Sequence, residues 1–84
     1  MNKIDQIAWR SKTEKLNAGR DLIVGTIVLD IDGNRGIVVK INPGYDSVNH
    51  GCIYVRDEHV NRFANEYEHY AYNNWKINLR ILDQ

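Results

Sequence analysis

Eighty-four residues with 11 basic and 11 acidic side chains are enough for one small domain and too few for two. The 43% apolar content and the eight aromatics (Tyr 5, Trp 2, Phe 1) can fill a core, while no run approaches the roughly 18 to 20 apolar residues of a membrane span. A formal charge of zero excludes nucleic-acid binding through net charge and confines any such binding to a local basic patch.

That balance is uneven along the chain. Residues 1 to 20 carry Lys3, Arg10, Lys12, Lys15 and Arg20 against Asp5 and Glu14, a local +3, whereas residues 21 to 50 are −2 and the remainder −1. The start, MNKIDQIAWRSKTEK, lacks the apolar centre of a signal peptide, and the single Cys52 can form no internal disulfide. A reducing, cytoplasmic setting without a membrane is the expectation.

Residues 3 to 17 read as a helix on which Ile4, Ile7, Ala8, Ser11 and Lys15 share a face. The apolar stripe fades after Ala8, which leaves the second half exposed or frayed. NAGRD (17 to 21) supplies the Asn and Gly of a helix stop. LIVGTIVLDI (22 to 31) is rich in β-branched residues, with Ile23, Ile27, Leu29 and Ile31 on one face and Leu22, Val24, Thr26, Val28 and Asp30 on the other. Gly25 marks a bulge or sharp bend. RGIVVKIN (35 to 42) alternates in the same way, and the Asp-Gly-Asn between the two runs predicts a β-hairpin.

NPGYDSVNHG (42 to 51) reads as a loop and CIYV (52 to 55) as a short third strand. In DEHVNRFANEYEHYAYNNW, Val60, Phe63, Ala64, Tyr67 and Ala71 have helical spacing and Asp57 is placed to cap a helix. The favoured expectation is a helix over 58 to 70, with extension of YEHYAY as a strand the alternative. Asn73-Asn74 break the segment, and WKINLRIL (75 to 82) alternates as a strand with Trp75, Ile77, Leu79 and Ile81 inward. The expected fold is α+β: a small antiparallel sheet or SH3-like barrel of about four strands, with an N-terminal helix and a second helix before the last strand. It forms one domain over 1–84, a helical segment at 1–20 followed by a β-rich core at 21–84.

Gly33-Asn34-Arg35-Gly36 invites a phosphate-cradle reading, but such cradles run from a strand into a helix N-terminus. Here the glycines lead from strand to strand, so the loop is expected to be a turn. The same four residues spell the Gly-x-x-Gly of KH domains, which joins two helices and so does not fit this setting. The hairpin VGTIVLDIDGNRGIVVKI, with Val28, Gly33, Gly36, Val38 and Ile41 at its apolar and Gly positions, resembles the first hairpin of KOW-type and other SH3-like small barrels. That resemblance spans about 20 of the 84 residues. It implies a barrel that binds RNA, DNA, peptides or proteins through its loops. The small size and Asn/Tyr-rich style also resemble accessory proteins of bacteriophages.

Catalytic and metal signatures are weak. His50, Cys52, His59 and His69 lack the paired spacing of a zinc site, and a lone Cys opening an apolar strand is ordinarily a small buried hydrophobe. Glu66 and Glu68 do not share a helix face, and Asp30 and Asp32 suit turn chemistry. The sequence thus predicts a protein that is not an enzyme, with no cofactor, no metal and no catalytic residue.

The aromatic set Tyr45, Tyr54, Tyr67, Tyr70, Tyr72 and Trp75 is the strongest functional signal, because interfaces favour Tyr, Trp and Arg. Trp75 and Tyr67 are assigned to the core. The partner-binding set is Tyr45, Tyr70, Tyr72, Arg56, Arg62, Arg80, Arg10 and Lys12. The expected function is a small non-catalytic module that contacts another protein, such as a phage-type modulator or inhibitor of a host defence protein. The alternative is an RNA- or DNA-binding small barrel, and exposed strand edges permit a homodimer.

Overall fold

The computed structural model describes residues 2–44, 51–58 and 68–84, with side chains left undescribed at positions 68 and 69. Helix α1 (Lys3–Asn17) is followed by β1 (Ile27–Leu29), β2 (Arg35–Asn42), β3 (Cys52–Asp57) and β4 (Glu68–Ala71). A single 3-10 turn (Tyr72–Asn74) then leads into the short helix α2 (Trp75–Asn78) and strand β5 (Arg80–Asp83). All neighbouring strands are antiparallel, and the sheet order is β4-β3-β2-β1-β5. The fold is therefore α+β: an N-terminal helix on a curled five-stranded antiparallel sheet.

Helix α1 has the expected limits. Asn2 caps it by accepting a hydrogen bond from the Asp5 N–H at 2.8 Å, and Asp5 in the first turn complements the helix dipole. Its orientation is the reverse of the expectation from its apolar stripe. Ile4 and Ile7 are 77% and 62% exposed, while Thr13 and Asn17 are fully buried. The side that docks carries Trp9, Arg10, Thr13 and Asn17, so the fading second half is the buried half.

The β1–β2 hairpin forms with Ile27 opposite Ile37, Val28 opposite Gly36 and Leu29 opposite Arg35. Strand β1 is only three residues long, not the ten suggested by the β-branched run. The chain bends sharply at Val24-Gly25, where the Thr26 hydroxyl donates to the Ile23 carbonyl at 2.7 Å. Gly33 takes φ +86° in the turn, a conformation that a side chain disfavours. Gly36 is needed for a different reason: a Cβ there would collide with Val55 Cγ1 and stand 2.9 Å from the Arg56 carbonyl oxygen on β3.

Strands β2 and β3 pair Val38 with Val55 and then Lys40 with Tyr54, so the register shifts around Val39. Such a bulge changes which side chains face inward. Val38 before it is buried, and Ile41 after it also packs on the core. A strict alternation would have sent those two residues to opposite faces. The core comprises Val28, Val38, Ile53, Val55, Trp75, Leu79 and Ile81, with Leu22, Ile41, Tyr70 and Tyr72 packed against it.

Two expectations for the C-terminal half need correction. Residues 68 to 70, the end of the expected 58–70 helix, belong to strand β4, which pairs Tyr70 with Ile53. Residues 59–67 of that helix, with Tyr67, lie outside the described residues, and Asp57 ends β3. Within the expected strand at 75–82, residues Trp75–Asn78 wind into α2, closed by the Leu79 N–H bonding the Trp75 carbonyl at 2.9 Å. Trp75, Leu79 and Ile81 are inward as expected. The helical turn brings Trp75 and Leu79 to the core from adjacent turns. Among the described residues the sheet has five strands, not about four, because residues 68–71 add β4 at its edge.

Candidate binding surface

Polar or exposed apolar groups gather at three places: the β1–β2 turn, the joint between α1 and β5, and the outer face of α1. At the turn, Asp30 is buried and its carboxylate collects four donors. Oδ1 accepts from the Asp32 N–H at 3.0 Å and the Asn34 N–H at 2.9 Å. Oδ2 accepts from Asn34 Nδ2 at 3.3 Å and from the Tyr70 hydroxyl, which reaches over from β4, at 2.9 Å. Charge-assisted bonds of this kind are the stronger class. Beside them lies a cavity of about 20 Å³ lined by Asn34, Arg35, Gly36, Val55, Asp57 and Tyr70. That is room for a single water. The Gly-Asn-Arg-Gly segment joins β1 to β2, the strand-to-strand setting expected of it.

The joint between α1 and β5 is polar. The Asn17 carboxamide donates to the carbonyls of Lys76 at 2.9 Å and Leu79 at 2.7 Å, and accepts from the Ile81 N–H at 3.1 Å. The Arg80 guanidinium lies 4.7 Å from the centre of the Trp9 ring. It donates to Thr13 Oγ1 at 3.1 Å and to the Trp9 carbonyl at 3.5 Å. Arg10 donates to Asn78 Oδ1 at 3.5 Å. Arg10 and Arg80, both assigned to partner binding from sequence, lie at this joint, Arg80 tying β5 to α1 and Arg10 tying α1 to α2.

The outer face of α1 carries Ile4, Ile7 and Ala8, with Lys12 and Lys15 one turn further along, all of them exposed. Leu16, Ile23, Val24 and Leu82 are also exposed, the latter three around the β1 entry and β5. A shallow groove of about 390 Å³ opens near the other flank, lined by Glu14, Tyr72, Asn73, Asn74, Trp75, Lys76 and Ile77.

Of the remaining sequence-assigned partner residues, Tyr72 lines this groove, Lys12 is exposed on α1, Arg56 is half-buried on β3 and Tyr70 is engaged with Asp30. Tyr45 and Arg62 lie outside the described residues. The described members do not converge on one site. Sequence reasoning passed over Trp9, whose helical spacing with Thr13 and Asn17 was the available signal for the docking side.

Among the described residues no group of three His, Cys, Asp or Glu side chains could hold a metal ion, and no helix is long and apolar enough to cross a membrane. Comparison with protein-family models, with curated proteins and with solved structures returns no significant match.

Proposed function

We propose that the chain is a small non-catalytic binding module that works through protein–protein contacts made on the outer face of α1. The observation that carries this reading is the exposure of Ile4 and Ile7 on a helix whose polar side is buried. Full burial of such a side chain is worth about 1.5–3 kcal/mol, which this fold leaves uncollected. A partner that covers them gains it. Lys12 and Lys15 beside the stripe add steering toward an acidic rim.

The finer expectation, a phage-type modulator of a host protein, belongs to this proposal, as does the SH3-like, KOW-type barrel with which the curled sheet is compatible. Nucleic-acid binding is the less supported reading, because Arg10 and Arg80 are engaged within the fold. Affinity capture from a host lysate tests the choice. The wild-type chain should retain a protein that Ile4→Glu/Ile7→Glu loses, whereas recovery of nucleic acid alone contradicts the proposal.

A further inference from the structure

The hydrogen bonds of Asn17 define a second interaction surface beneath α1. The Ile81 N–H and the Leu79 carbonyl flank Arg80 along the chain. These are the two backbone groups that a neighbouring strand bonds when it pairs opposite a residue. Strand β5 ends the sheet, with β1 on one side and α1 on the other. The Asn17 carboxamide bonds both groups, Nδ2 donating to the Leu79 carbonyl and Oδ1 accepting from the Ile81 N–H, and so fills the place of the two peptide units that would flank a paired residue. We propose that α1 is a displaceable cover over the outer edge of β5, and that the uncovered edge takes an extended peptide with an acidic side chain opposite Arg80.

Three further observations support a cover that can lift. The bonds of α1 to β5 and α2 run through Asn17, Thr13, Arg10 and the Trp9 ring, and no aliphatic side chain of the helix is buried. Gly19, at φ +73° with open space around its Cβ position, lies just beyond the helix end. After it the chain is anchored independently: Gln84 Nε2 bonds the Asp21 carbonyl at 2.7 Å, and Leu22 packs on the core. Lifting α1 leaves that anchor in place.

The side chain of the occupant follows from what α1 leaves behind. Arg80 loses the Trp9 ring and the Thr13 hydroxyl, so a carboxylate opposite it restores a charge-assisted pair. This mode is strand addition, in which backbone bonds supply affinity and alternate side chains supply specificity. The inference goes beyond docking on the outer face of α1 and does not depend on it.

Hydrogen exchange on the unmodified chain is the first test. The α1 amides and the Ile81 N–H should exchange together, at least tenfold faster than the Val38 N–H held by the Thr26 carbonyl. Exchange of Ile81 as slow as that of Val38 overturns the cover. The second test titrates a blocked peptide of alternating valine and glutamate, and the same peptide with glutamine for glutamate, against wild-type and Asn17→Ala chains. The glutamate peptide should bind Asn17→Ala at least tenfold tighter than wild type, and tighter than the glutamine peptide. Equal or absent binding to the two chains overturns the strand-docking claim, and equal binding of the two peptides overturns the acidic partner. If Asn17→Ala fails to fold, exchange on the wild-type chain still decides the cover.

Discussion

At the scale of single residues, two buried polar side chains organise this molecule. Asn17 satisfies three backbone groups drawn from α2 and β5. Replacing it with alanine strands those groups beneath the helix, and a buried group without a partner costs about 1–3 kcal/mol. Asn17→Ala is therefore expected to lower unfolding stability by roughly 2–4 kcal/mol in a denaturant titration, a large loss for a protein of this size. Tyr70→Phe removes one of the four donors to the Asp30 carboxylate and leaves the packing of the ring unchanged. Its expected cost is about 1–2 kcal/mol, read in the same way. The exposed Arg35–Glu58 ion pair, at 2.9 Å, adds little by comparison.

At the scale of elements, the outcome depended on whether the signal was local. The β1–β2 hairpin was legible because Asp-Gly-Asn and its flanking alternation lie within a dozen residues. The limits of α1 were legible for the same reason, since its caps are its neighbours in sequence. Its orientation was not, because the groups that bury Asn17 lie near the far end of the chain. Trp75, Ile77, Leu79 and Ile81 also satisfied two readings at once: alternate residues of a strand, or Trp75 and Leu79 on adjacent helical turns. The 3-10 and α2 turns took the second: Trp75, Leu79 and Ile81 are inward as foreseen, whereas Ile77 stays outside the core and lines the groove. Of the sequence-assigned binding residues, Arg10 and Arg80 make their bonds at the α1 joint, a long-range pairing that no local pattern announces. Gly36→Ala tests the close approach of β2 and β3: the added methyl meets Val55 and the Arg56 carbonyl. A loss of about 1–3 kcal/mol is expected, the usual cost of overpacking.

For the whole molecule, a curled sheet with an aliphatic core holds a helix by polar contacts and turns the aliphatic side of that helix outward. A helix normally places its apolar stripe against the core, because burial there is the main source of its stability. Here the docking side is stabilised by one asparagine, one threonine and an arginine stacked on Trp9, which leaves Ile4 and Ile7 for another surface. The most direct measurement is the unfolding free energy of Ile4→Gln/Ile7→Gln beside that of the wild type. An outward stripe predicts a difference within about 0.5 kcal/mol. A loss of several kcal/mol, the scale of two side chains removed from a core, contradicts it.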